Sequence, residues 1–227
     1  GMDFGARRTH EDAAVSAARA AVVSGFTSTS DLEAGMRYGI RCVGTSAHAF
    51  TLLHDDERTA FDSQIASLGV GTTILVDTYD IARGVQRAVD AAKAAGGTLG
   101  AVRLDSGDLV AEAFKVRAQL DSLGCPDTKI VVTSDLDEYA IAALGAAPVD
   151  IYGVGTKLVT GSGVPTAALV YKMVERENSA GEMEKVAKKS SGGKSSVGGR
   201  KTAGRVIIDG SATEELLISS IDPEAAE

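Results

Sequence analysis

The amino-acid sequence predicts an α/β fold: a β/α barrel, irregular and incomplete within these 227 residues, with a short β-containing C-terminal arm. Three observations predict it. Short apolar runs alternate with helical patterns across short connections, the grammar of a mostly parallel sheet. Most of those runs drop polar residues into the loop that follows, and a barrel gathers all such loops around one mouth. Hydrophobic residues make up 44% of the chain but aromatic ones only 4%, with no Trp, so the core is built from Ala, Val, Leu and Ile.

The elements follow in order. Asp3-Phe-Gly-Ala-Arg-Arg8 reads as the end of a strand. Residues 11–23, rich in Ala and Val, form a helix closed by Gly25. The polar loop 26–31 caps a short helix over 32–38, with Gly39 just past its end. Residues 40–43 form a short strand followed by Gly44-Thr-Ser-Ala-His48, and 55–68 form a helix. A strand over 72–77 ends on Asp77, and a helix over 81–95 stops at Gly96-Gly97. Next come a strand from Leu99, a helix over 108–123, a strand over 129–133, a helix over 138–144 and a strand over 149–153. After Pro165 the character changes, which divides the chain into a barrel portion, 1–165, and an arm, 166–227. The apolar run 167–174 reads as an antiparallel strand, and 206–208 as another. Between them, 185–205 carries Lys188, Lys189, Lys194, Arg200 and Lys201 among Ser and Gly, the composition of a solvated loop.

Composition bounds the function. The 23 Lys and Arg against 31 Asp and Glu leave a net charge of −8, which repels a phosphate backbone, so no nucleic-acid partner is expected unless the basic residues cluster. No apolar run reaches membrane-spanning length, so no membrane partner is expected. Cys42 and Cys125 each lie in or beside an apolar run and read as buried free thiols of a reducing cytoplasm. Cys-X-X-Cys, His-Glu-X-X-His, Walker-type and Ser-elbow patterns are all absent from the sequence.

The densest polar grouping at a strand end is Leu99-Gly-Ala-Val-Arg-Leu-Asp-Ser-Gly-Asp-Leu109. Two carboxylates, a hydroxyl and a glycine before a helix suit a polyhydroxylated or phosphorylated ligand, with or without a divalent cation. The competing reading is a helix start capped by Asp105 or Ser106. Asp77, Asp105, Asp108 and Asp135 form a set of strand-end carboxylates, of which at least one serves only as a cap. His48, one of three histidines, is suited to act as general base, metal ligand or phosphoryl acceptor, or is an ordinary hydrogen-bonded side chain. His10 and His54 lie beside charged residues and read as solvated. Gly153-Val-Gly155-Thr156 offers backbone N–H groups and a hydroxyl to a phosphate, or is a tight turn. Phe4 with Arg7 and Arg8 suits an anionic aromatic ligand, or the arginines are merely solvated.

Taken together, the motifs resemble nicotinate phosphoribosyltransferases. The likeness runs through Asp3-Phe-Gly-Ala-Arg-Arg8, Thr29-Ser30-Asp31, Gly44-Thr-Ser-Ala-His48 and Val76-Asp-Thr-Tyr-Asp80. It continues through Val102-Arg-Leu-Asp-Ser-Gly-Asp108, Thr133-Ser-Asp-Leu-Asp137, Tyr152-Gly-Val-Gly-Thr156 and Val170-Tyr-Lys-Met-Val-Glu175. The resemblance implies the type II phosphoribosyltransferase barrel. It also implies formation of nicotinate mononucleotide and pyrophosphate from nicotinate and phosphoribosyl pyrophosphate, coupled to ATP hydrolysis, by a Mg2+-using homodimer. The alternatives are a sister enzyme acting on nicotinamide or quinolinate, and a truncated nucleotide-binding module without turnover.

By position, His48 is similar to the histidine phosphorylated from ATP, and the resemblance groups it with Arg103 and Asp105 as catalytic. Phe4 matches a pyridine-stacking residue, with Arg7 and Arg103 near the pyridine and the phosphoribosyl group. Asp77 and Asp105 match positions near the ribose and the magnesium pyrophosphate. Ser134, Gly153, Gly155 and Thr156 match positions holding the sugar and 5′-phosphate, and Ser30 and Asp135 also fall at substrate-binding positions. Family members carry a substantial region before the first matching motif, so the resemblance implies that this chain is the C-terminal barrel portion. Lys157 stands where some members have Arg, and Asp31 where many have Asn, a change that bears on base preference.

Overall fold

The computed structural model describes residues 1–164, 166–189 and 195–219. Lys194 of the basic run and the acidic residues after 219 lie outside the described residues. The chain forms two compact units that meet in sequence at Pro165 and Thr166.

The first unit is a curled parallel sheet wrapped by helices. Its strands are β1 (Met2–Asp3), β2 (Ser28–Thr29), β3 (Thr73–Leu75), β4 (Ala101–Leu104), β5 (Lys129–Val132) and β6 (Ile151–Val154). They pair in the order β2-β1-β6-β5-β4-β3, all parallel. Sequence neighbours are spatial neighbours except β2 and β3, which form the two edges of the open sheet, and the first strand pairs with the last: Met2 with Gly153 and Asp3 with Val154. That order is the order of a β/α barrel left open between β2 and β3, the incomplete barrel the sequence predicts. Beyond β2, residues 40–43 contribute only an isolated bridge, Thr29 to Cys42, where the sequence led us to expect a strand. Arg41 and Cys42 are both exposed, so there is little burial to reward further pairing.

The helices of this unit are α1 (Glu11–Val23), α2 (Leu32–Tyr38), α3 (His48–Leu52), α4 (Glu57–Leu68), α5 (Ile81–Ala94), α6 (Leu109–Ser122), α7 (Glu138–Leu144) and α8 (Thr156–Thr160). Aspartate starts five of them. Asp31, Asp56, Asp80, Asp108 and Asp137 each accept the N–H three residues on, at 2.8–3.1 Å. Each such cap is worth about 1 kcal/mol. His10 is exposed, as expected, and also serves as the N-cap of α1, whereas His54 is half-buried with its Nδ1 2.8 Å from Phe50 O.

The core lies between sheet and helices. Ile74, Val76, Val102, Leu104, Ile130 and Val132 all pack there with Phe61, Val85, Val89, Val116 and Leu120. Each large aliphatic side chain so buried contributes roughly 1.5–3 kcal/mol. Side chains alternate along a strand, so the odd-numbered residues Leu75, Asp77, Arg103, Val131 and Thr133 face the other way, toward the barrel axis. Gly84 lets α5 approach β3 closely, since a Cβ there would sit 2.3 Å from the Val76 carbonyl oxygen. Glu57, buried at the start of α4, pairs with Arg87 of α5 at 3.1 Å. Cys125 is a buried free thiol, but Cys42 is exposed, contrary to expectation.

The second unit holds two antiparallel pairs, β7 (Glu175–Glu177) with β8 (Met183–Lys185), and β9 (Lys201–Ile208) with β10 (Ser211–Ser219). Residues 167–174, expected as a strand, are outside any strand and largely exposed, with Leu169 90% and Tyr171 86% accessible. Conversely, the run expected as loop supplies the first half of β9, and the short strand at 206–208 is that strand's end. Among the described residues, no helix is long and apolar enough to cross a membrane.

Candidate active site

The inward-facing residues at the carboxyl ends of the strands meet in one hydrogen-bonded cluster. Arg103 of β4, only 12% exposed at its side chain, is its centre. Its Nη2 donates to Asp105 Oδ1 at 2.8 Å, and its Nε donates to Thr133 Oγ1 at 2.7 Å. The register explains the second contact: Arg103 pairs with Val131, so Thr133, two residues on, stands on the same face beside it. Nη1 reaches the loop before α3, donating to Thr45 Oγ1 at 2.5 Å and to Ser46 O at 3.4 Å. The Thr133 hydroxyl also donates to Asp105 Oδ1.

Asp77 lies one strand away with its side chain 1% exposed. Its Oδ2 accepts the backbone N–H of Asp105 at 2.8 Å and the Ser106 hydroxyl at 2.7 Å. Its Oδ1 is buried with no hydrogen-bond partner. That orphan oxygen is 3.9 Å from His48 Nε2, and Asp105 Oδ2 is also 3.9 Å from the same nitrogen. Two carboxylates facing Nε2 favour the tautomer with its proton there, which leaves Nδ1 to accept from the Thr78 hydroxyl 3.1 Å away. Burial raises the Asp105 carboxyl, but the Thr133 hydroxyl, the Arg103 guanidinium and His48 outweigh it and hold the group below its ordinary range.

Two adjoining cavities open on this cluster. One, about 210 Å³, is lined by Phe4, Arg7, Arg8, Arg103, Asp105, Thr133, Ser134, Asp135, Gly153, Gly155 and Thr156. The other, about 370 Å³, is lined by Phe4, Arg7, Ser30, Gly44, Thr45, His48, Arg103 and Asp105, with Ala6 and Ala47. Phe4, Arg7, Arg103 and Asp105 line both, so the two are branches of one cleft. Gly153 is required for that geometry: a Cβ there would lie 2.6 Å from Thr133 Cγ2 and 3.0 Å from the Phe4 ring. Ser134 has φ 119°, a conformation costly for a residue with a side chain and a mark of functional turns.

The cleft therefore gathers Phe4, Arg7, Ser30, His48, Arg103, Asp105, Ser134, Asp135, Gly153, Gly155 and Thr156, with Asp77 directly beneath Asp105. Of the other strand-end carboxylates, Asp108 is the cap of α6, in place of Asp105 or Ser106. Thr45, Thr78 and Thr133 are the connecting residues that sequence reasoning did not single out for a role; hydroxyls beside strand ends were their only signal. Asp31 lies apart from the cleft, capping α2, and a cap accepts Asp or Asn equally.

No group of three or more His, Cys, Asp or Glu side chains forms a complete metal cage among the described residues. Asp77 Oδ1 and Asp105 Oδ2, both turned toward His48 Nε2, are the carboxylate oxygens of the cleft that could join phosphate oxygens around a divalent cation.

Comparison with known proteins gives a consistent answer. Residues 1–206 match the family model described as the nicotinate phosphoribosyltransferase (NAPRTase) family. The nicotinate phosphoribosyltransferase pncB1 of Mycobacterium tuberculosis is 52% identical over 225 residues, covering 95% of this chain and 48% of that protein. The nicotinate phosphoribosyltransferase of Bacillus subtilis is 42% identical, covering 91% of this chain and 43% of that one. The chain thus spans about half the length of the curated relatives it matches. Among solved structures, the nicotinate-nucleotide pyrophosphorylase from Pyrococcus furiosus superposes with a TM-score of 0.66 at 28% identity, covering 97% of this chain and 59% of that chain. Human nicotinic acid phosphoribosyltransferase shares the fold, with a TM-score of 0.60 at 23% identity over 68% of this chain and 43% of that chain. The chain belongs to the nicotinate phosphoribosyltransferase family.

Proposed function

We propose that this chain carries the nucleotide-forming cleft of a nicotinate phosphoribosyltransferase. The reaction joins nicotinate to the ribose of phosphoribosyl pyrophosphate, releases pyrophosphate, and is driven by ATP hydrolysis. The observation that carries this reading is the convergence of Arg103, Asp105, Asp77 and His48 at the floor of a cleft walled by Phe4, Arg7 and the Ser134 and Gly155 turns.

Each residue has a distinct task. Phe4 offers its ring to the pyridine face, and Arg7 its guanidinium to the carboxylate of the base. Arg103 is held by Asp105 and Thr133, so it is already oriented for the phosphoribosyl group before ligand arrives. Displacement at the activated ribose carbon builds positive charge on the sugar. Asp105, kept ionised, faces that charge in a partly enclosed site where a fixed carboxylate is most effective. Ser134, Gly153, Gly155 and Thr156 supply the hydroxyls and close backbone that cradle the 5′-phosphate, while Ser30 and Asp135 line the outer walls. His48 accepts the phosphoryl group through Nδ1 while Asp77 and Asp105 hold the proton on Nε2. In the transferase step Asp77 and Asp105 would instead hold Mg2+, which would neutralise charge on the departing pyrophosphate.

The Asp31 carboxylate caps α2 and is absent from the lining of the cleft, so it does not argue against nicotinate as the acceptor. The free thiols Cys42 and Cys125 fit the cytoplasm, and the exposed Leu32 and Met36 of α2 fit a homodimer contact. The test is nicotinate mononucleotide formation from nicotinate and phosphoribosyl pyrophosphate by the protein carrying this chain, with and without ATP. ATP-stimulated synthesis that nicotinamide and quinolinate do not replace supports the reading. Faster turnover of either other base, or no product, overturns it.

A further inference from the structure

The loop that carries His48 is attached to the rest of the barrel in an unusual way. Among the described residues, the hydrogen bonds that tie residues 44–47 to another element both come from Arg103, through Thr45 Oγ1 and Ser46 O. The other bonds of the loop are local, Thr45 Oγ1 to Ser46 O and Phe50 N–H to Ala47 O. Gly44 and Ala47 are exposed, and a Cβ on Gly44 would meet nothing within 4 Å, while Thr45 and Ser46 are half-buried.

The guanidinium that holds this loop also holds the strand ends. Nε is engaged by Thr133, both Nη1 hydrogens by the loop, and one Nη2 hydrogen by Asp105, which leaves one Nη2 N–H for a ligand. An anion that takes this last donor shares one guanidinium with the loop. Because α3 begins at His48, three residues beyond Thr45, the position of that loop bears on the imidazole, whose own hydrogen bond is to Thr78 Oγ1 at 3.1 Å.

We propose that Thr45 is a positioning residue that couples the two branches of the cleft: its bond to Arg103 holds the His48 loop in register with Asp105, so that ligand bound at the strand ends sets where the imidazole stands. The consequence for ATP rests on the transferase reading above.

The test compares Thr45→Val, which keeps volume and loses the hydroxyl, with Thr45→Ser, which keeps the hydroxyl. Two readouts are taken in the protein carrying this chain. One is the ratio of nicotinate mononucleotide synthesis with ATP to synthesis without it. The other is the shift of the His48 ring signal, in protein with 13C-labelled histidine, on adding nicotinate mononucleotide, assigned with a His48→Asn variant. Loss of one bond to a charged donor predicts that the ratio falls roughly tenfold in Thr45→Val. The ring shift should shrink in parallel, while Thr45→Ser retains both and thermal unfolding confirms that each variant is folded. Retention of either readout in folded Thr45→Val, or loss of both in folded Thr45→Ser, overturns the coupling role. A Thr45→Val protein that fails to unfold cooperatively, beside a normal Thr45→Ser, makes the hydroxyl a folding element and overturns it too. A wild-type protein with no ATP-stimulated synthesis overturns the transferase reading itself, which separates that failure from failure of the coupling.

Discussion

Replacing Asp105 with Asn separates its part in chemistry from its part in folding. Asp105 Oδ1 accepts from Arg103 Nη2 at 2.8 Å and from the Thr133 hydroxyl, and an amide oxygen in the same place keeps both bonds. What folding loses is the charge share of one ion pair. The Asp105 side chain is 29% exposed, so solvent trims that loss to about 1 kcal/mol. Catalysis loses more, because the same substitution removes the negative charge that faces the developing cation, a loss of roughly 10²–10³ in rate. Urea unfolding and initial rates of nicotinate mononucleotide synthesis on one preparation check both figures. The pH dependence provides a further control. The folded carboxyl sits below its ordinary value of 3.8, so it adds stability above that value that is lost as pH falls through the folded one. The Asn variant should therefore show a flatter loss of stability in that acid window. A destabilisation above about 3 kcal/mol with an unchanged rate per folded molecule would make Asp105 a structural ion pair and refute the reasoning.

Three further outcomes follow from the same geometry. His48→Ala should abolish the stimulation by ATP while leaving slow ATP-independent synthesis, and unchanged ATP hydrolysis would remove His48 from the mechanism. Gly153→Ala forces a Cβ to within 2.6 Å of Thr133 Cγ2 and 3.0 Å of the Phe4 ring, so KM for nicotinate should rise and stability should fall by about 1–3 kcal/mol. An unaltered KM would mean that Phe4 does not meet the base. Ser134→Gly relieves the strain at φ 119° and should raise Tm, while loss of the hydroxyl weakens phosphoribosyl binding. Lower Tm in that variant would show that the Ser134 conformation is not strained.

Much of this was legible because the signals are local. Asp before an apolar period marks a cap, and Asp31 and Asp108 perform that task. Alternation along β4 puts Val102 and Leu104 in the core and so turns Arg103 inward, a placement any reader of the pleat can make. The failures are non-local. Residues 167–174 are apolar enough for a strand, yet a strand needs a continuous ladder, and here backbone bonding from Val186 and Gly199 reaches only the last of them, Val174 O, at 2.9 and 2.7 Å among the described residues. The first half of β9 hid in a Lys and Ser run because an exposed hairpin is held by cross-strand pairing with β10, and composition carries no trace of register. Thr45 and Thr133 escaped notice for the same reason: what makes them part of the site is Arg103, 58 and 30 residues away respectively.

The site also depends on how the sheet closes. Phe4 reaches the cleft because β1 pairs with β6, and its N–H donates to Val154 O at 2.7 Å just past that pairing. The same closure is anchored by Asp3, 1% exposed, whose carboxylate accepts from Gly5 N–H at 2.8 Å and from the Thr29 hydroxyl at 2.6 Å. Gly5 leaves no room for a side chain, since a Cβ there would sit 2.1 Å from Val159 Cγ1 of α8. Residues from opposite ends of the first unit thus form the wall against which the base would stack. Fixing that wall by backbone pairing and a buried carboxylate leaves Phe4 and Arg7 few alternative positions, the pre-organisation on which affinity for a small flat anion depends.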